Sequence, residues 1–135
     1  LLTAYGAIRP PKKQGLEKRL FYLFNEMNKL FDRFKPVILA IEGSFYSKNV
    51  KSAMRLGQAR GASMVAAASK KIPIYEYSAR KVKQSITGNG NAHKSQVQFM
   101  VKAKLKMNHN PEPMDAADAL AIALCHDHQF RMADL

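Results

Sequence analysis

Three carboxylates sit where packing alone would not place them. Asp115 and Asp118 lie three residues apart within PMDAADALAIALCHDH (113–128), a run made largely of Ala, Leu and Ile, and Glu42 closes the apolar run VILAIE (37–42). An ionised carboxylate set in an apolar element loses hydration and must regain it from a donor, a cation or a metal. Residues three apart on a helix leave the same face, so Asp115 and Asp118 suit one shared cation. The same spacing also suits capping, with Asp115 as N-cap and an acid three positions on, after a proline-rich entry. Glu42 shifts the balance. At the carboxyl end of a strand it reaches the sheet edge where a packed helix would bring the other two. Three converging carboxylates repel one another unless a divalent ion joins them, and hard oxygen ligands favour Mg²⁺, with Mn²⁺ as a substitute.

The rest of the chain is basic. Lys and Arg number 22 against 10 Asp and Glu, a formal charge of +12, which points to a polyanionic partner. There is no uninterrupted apolar span of membrane length, and the amphipathic stripes are those of core-facing helices, so nucleic acid is favoured over a membrane. Acidic ligands for Mg²⁺ in such a protein suggest phosphodiester hydrolysis, one ion activating water and another stabilising the leaving oxygen. Phe45 and Tyr46 follow Glu42 in a loop. They are core aromatics, or they stack on an unpaired base or wedge between base pairs. GNGNAHKS (88–95) lacks the glycine that precedes the lysine of a phosphate-binding P-loop. It reads instead as a flexible basic loop touching DNA phosphates through Lys81, Lys83, His93 and Lys94. Cys125, His126 and His128 lack a second ligand cluster for structural zinc, although a histidine near the carboxylates would orient water or phosphate. A single cysteine and no signal-like segment place the chain in a reducing, cytoplasmic setting.

These groups need a scaffold, and the periodicity supplies one. Apolar residues at helical spacing mark a helix over 14–34, VILAIE a buried strand, 49–69 a second helix, and IPIYEY (72–77) a second strand. A basic, glycine-containing segment then leads to a helix over 95–107, and the acidic run forms the last helix. Ala53, Gly57 and Gly61, spaced four apart, allow close helix packing within the fold or across a dimer. Alternating strands and helices indicate an α/β architecture with sites at the carboxyl ends of strands. A chain of 135 residues fits one domain, 1–135. Its opening, LLTAYGAIRP, reads as the inside of a strand, so the domain is expected to be amino-terminally incomplete.

With Glu42 after a strand, followed in order by LGQARG, EYSARKVKQSITGNGNAHKSQVQ and DAADALAIALCH, the sequence resembles the RuvC family of bacterial Holliday junction resolvases along nearly its whole length. The resemblance implies an α/β, ribonuclease H-like mixed sheet flanked by helices, its first strands missing from this chain. It also implies a homodimeric, Mg²⁺-dependent endonuclease that nicks two strands of a four-way DNA junction symmetrically, in recombination and repair, alongside the branch-migration proteins RuvA and RuvB. Glu42, Asp115 and Asp118 match three of the family's four acidic metal positions, Phe45 an aromatic position near the crossover, and Lys83 and Lys94 basic DNA-binding positions. The helix with Gly57 and Gly61 matches the one that builds the dimer. The fourth acid belongs to a first strand that should precede Leu1; Glu17 and Glu26 fall on the first helix, facing solvent. The rival reading is a junction-binding dimer impaired in catalysis by that missing acid.

Overall fold

The structure is a computed structural model describing residues 1–43 and 49–133. In chain order its elements are α1 (Leu16–Phe34), β1 (Leu39–Glu42), α2 (Val50–Ser69), β2 (Ile74–Tyr77), α3 (Ala79–Thr87), α4 (Lys94–Lys104) and α5 (Met114–Ala133). β1 and β2 form a two-stranded sheet. The Leu39 N–H donates to the Pro73 carbonyl at 2.9 Å and the Gly43 N–H to the Tyr77 carbonyl at 3.0 Å. That constant offset is a parallel register. No helix among the described residues is long and apolar enough to cross a membrane.

The chain divides into two compact units, Leu1–Ala7 with Ala40–Ser44 and Glu76–Leu135, and Ile8–Leu39 with Phe45–Tyr75. In the unit holding α1 and α2, Phe31, Ala66 and Ala67 are buried, with Phe24, Met27, Leu39, Ile72 and Ile74 packed around them. Asn49 caps α2, its side chain accepting from the N–H groups of Lys51 and Ser52. In α1, Glu17 is exposed as expected, whereas Glu26 is half-buried and pairs with Lys29 at 3.0 Å.

The other unit packs α3, α4 and α5 around Val82, Ile86, Val101, Leu120, Ala121 and Cys125. Val101 and Cys125 are its largest fully enclosed side chains. Alanines at 116, 117 and 121 give α5 a buried face of low relief, and its acids stay outside the packing.

Two sequence expectations are corrected. Residues 79–87, read as part of a basic flexible stretch, form α3. Ser78 caps the helix by accepting from the Lys81 N–H, Val82 and Ile86 make its buried stripe, and Gly88, at φ 81°, ends it in the left-handed region that glycine tolerates. The opening residues, read as the inside of a strand, have no strand assignment. Leu2 packs instead against the apolar core of its unit.

Candidate active site

Glu42 is the last residue of β1. Its position is fixed by a close approach of the strands just beyond it: a Cβ added at Gly43 would stand 2.9 Å from the Glu76 Cβ, so only glycine lets β1 keep its pairing there. Asp115 and Asp118 occupy the start of α5, which opens at Met114 with the Pro113 carbonyl accepting from Ala116 and Ala117. Asp115 is therefore a first-turn residue and not the cap, and the capping explanation for its spacing with Asp118 falls away. Acids in a first turn do favour the positive end of the helix dipole.

Asp118 is the centre of the group. Burial pushes the Glu42 carboxyl above the usual carboxylate range, and the charge of Asp118 pushes it further. Asp118, though exposed, is raised by the partial desolvation of its carboxyl and by the charge of Asp115, while Lys94 pulls it back down. The Lys94 Nζ stands 3.9 Å from the Asp118 Oδ2, with both side chains more than half exposed. The fold thus brings Glu42 to Asp118, and Asp118 to both Asp115 and Lys94. Among the described residues, no three of these or other His, Cys, Asp and Glu side chains converge tightly enough to form a ready-made metal cage. The donor set nevertheless suits a hard divalent ion: all its ligands are carboxylate oxygens, and their mutual repulsion is what such an ion would relieve.

The basic residues come from the α3–α4 hairpin. Lys81 and Lys83 lie on α3, Lys94 is the first residue of α4, and His93 is its N-cap. The segment between the helices, expected to be flexible, is closely hydrogen-bonded. The Thr87 hydroxyl donates to the Lys83 carbonyl at 2.7 Å and accepts from the Asn89 N–H at 3.1 Å. Asn89 Oδ1 accepts from the Asn91 N–H at 2.9 Å, and Arg80 Nη1 donates to Asn91 Oδ1 at 2.9 Å. Thr and Asn hold such loops because their short side chains bond to nearby backbone. Sequence reasoning missed Arg80, Thr87, Asn89 and Asn91 as a set; their turn-forming types and close spacing were the available signal. The His93 Nδ1 accepts from the Ser95 backbone N–H at 3.3 Å, the bond by which the side chain caps α4.

The His126 Nδ1 lies 2.7 Å from the Tyr77 hydroxyl, and its ring packs against Phe130 at 4.4 Å between centroids. Cys125 is enclosed in the core, where burial raises its thiol above the usual range. Phe45 and Tyr46 lie outside the described residues.

The family profile for crossover junction endodeoxyribonuclease RuvC matches residues 1–126, nearly the whole chain. The chain belongs to the RuvC family. The crossover junction endodeoxyribonuclease RuvC of Ruminiclostridium cellulolyticum is 45% identical over 131 residues, covering 97% of this chain and 79% of the relative. That of Protochlamydia amoebophila is 47% identical over 122 residues, covering 90% and 73%. Among solved structures, Thermus thermophilus RuvC superposes with a TM-score of 0.86 at 33% identity, covering 93% of this chain and 76% of that one. The same protein in complex with a Holliday junction substrate gives 0.86 at 34% identity, covering 91% and 74%. The α/β, ribonuclease H-like fold expected from the motifs is therefore the fold of this RuvC chain, and as a RuvC it is a nuclease of the hydrolase class.

Proposed function

We propose that this RuvC chain resolves four-way DNA junctions by metal-dependent hydrolysis of one phosphodiester in each of two opposed strands, with Glu42, Asp115 and Asp118 as the metal-holding acids. The observation that carries the reading is Asp118: it shares its field with Glu42 and Asp115, and Lys94 stands beside it, in a chain of formal charge +12. Mg²⁺, with Mn²⁺ as substitute, fits the all-carboxylate set, and when bound it supplies water activation and charge stabilisation at the scissile phosphate. Lys81, Lys83 and Lys94 hold the DNA backbone, which positions the substrate without reading its sequence. Phe45 and Tyr46, directly after Glu42, are assigned the stacking role at the crossover.

Two opposed cuts call for two sites, and a twofold dimer provides them. The support is on α2, where Val50, Met54 and Val65 are exposed, and a Cβ at Gly61 would meet nothing within 4 Å. With Gly57 these positions follow helical spacing along one side, a face of the kind a second copy covers. In this reading residues 1–135 act as one nuclease domain in the cytoplasm, with RuvA and RuvB as partners.

The test is cleavage of a synthetic four-way junction by the 135-residue chain with and without Mg²⁺, beside Glu42→Gln. Mg²⁺-dependent paired nicks, lost in the variant, support the assignment. Tight junction binding with no cleavage by either protein points to the non-catalytic binding dimer.

A further inference from the structure

We infer that His93 is a positioning residue for Lys94: as the N-cap it fixes the first turn of α4 and so sets where the Lys94 ammonium stands beside Asp118. The inference rests on the reading above, in which Lys94 contacts the DNA backbone.

The cap works in both directions. Nδ1 of His93 accepts from the Ser95 N–H, and the His93 N–H donates to the Gln96 Oε1 at 3.0 Å, completing a reciprocal capping box. The Ser95 hydroxyl lies a further 3.0 Å from the same Nδ1. These bonds determine how the first turn sits, and Lys94 is its first residue.

The turn needs them. A lysine at a helix N-terminus adds positive charge to the positive end of the helix dipole and favours fraying. No acidic residue lies in the first turn of α4 to offset it. Helix stability alone would place Lys94 at the other end, so its location serves something outside the helix, and the side chain points toward Asp118 at 3.9 Å. The chain entering the cap is held separately: Arg80 braces Asn91, and the Asn89 carbonyl accepts from the Ala92 N–H at 3.0 Å. His93 therefore links an anchored loop to a turn that carries an unfavourably placed cation. Its Nδ1 faces the backbone of that turn, so its effect on DNA runs through the placement of Lys94.

The experiment is a mutant cycle on the full chain, reading junction affinity and turnover at saturating junction, with thermal midpoint as a control for folding. His93→Ala should weaken junction affinity about fivefold, the equivalent of the ~1 kcal/mol of a lost cap. His93→Asn and His93→Ser, which cap through a side-chain oxygen, should restore it. In a Lys94→Ala background, His93→Ala should produce no further loss, since non-additivity marks residues that act through one another. Losses that simply add, or Asn and Ser variants as weak as Ala, would show that the imidazole touches DNA itself and overturn the inference. If Lys94→Ala leaves affinity unchanged while His93→Ala lowers it, the DNA-contact reading of Lys94 fails, and the positioning role fails with it.

Discussion

Replacing Asp118 with Asn should give a protein that binds junctions more tightly and does not cut them. The side chain keeps its shape and loses its charge, and three consequences follow from its neighbours. First, Lys94 is released from a partner 3.9 Å away. In a water-like dielectric that separation corresponds to about 1 kcal/mol, and exposed pairs typically realise ~0.2–1 kcal/mol because solvent screens them. Metal-free junction affinity should therefore rise by up to about fivefold, an effect that shrinks as salt is added. Second, Glu42 loses the charge that supplements burial in raising its carboxyl, so its titration moves back toward the ordinary range. Third, a metal ligand is gone. Loss of groups that merely orient a ligand costs ~10–100-fold in metal affinity or activity, so loss of the ligand itself should reduce Mg²⁺-dependent cleavage by at least about a hundredfold. Equilibrium binding to a labelled junction in chelator, and single-turnover cleavage in Mg²⁺, measure the two effects on one preparation. A variant that cuts within about threefold of the parent, or that binds more weakly in chelator, refutes the reasoning.

Glu42 and Asp118 are both raised above their ordinary values of 4.5 and 3.8, so the unfolded chain ionises first as pH rises. Their stabilising contribution is complete below those ordinary values and is lost as pH climbs through the raised ones. Against a Glu42→Gln/Asp118→Asn double variant, the metal-free protein should thus melt relatively lower at neutral pH than in acid, and Mg²⁺ should recover the difference by mass action. Melts that show no Mg²⁺-dependent gain at pH 7 would remove the metal site. Cys125, enclosed and with its thiol pushed up by burial, should resist thiol reagents in the native protein and react once denaturant unfolds it; complete labelling on mixing would contradict its place in the core.

The long helices and the buried strand were legible because their apolar residues repeat at one period over enough turns to be unambiguous. Phe24, Met27 and Phe31 announce α1, and the run into Glu42 announces β1. α3 was hidden because nine residues carry only two buried apolar positions, Val82 and Ile86, amid lysines that read as loop. Its caps, Ser78 and Gly88, were visible but weigh little without a stripe between them. The acidic group was legible residue by residue, since a carboxylate in an apolar element has few explanations. Its internal order was not. That Asp118 stands between Glu42, Asp115 and Lys94 depends on which helix turn faces the strand end, and spacing along one element carries no information about distance to another. The capping role of His93 was likewise out of reach, because it depends on a backbone N–H that only the folded turn presents.

The bonds among Thr87, Asn89, Asn91 and Arg80 also bear on selectivity. Fixing a residue's backbone costs roughly 1–2 kcal/mol of entropy, and here that loss is incurred during folding, before any DNA arrives. Association is then free of it, as it is for any pre-shaped surface. A loop braced by these bonds must break some of them to follow a duplex whose phosphates take a different path. Discrimination between a branched and a linear DNA can therefore arise from stiffness, through the misfit that an inflexible surface imposes on the wrong geometry, with no contact to any base.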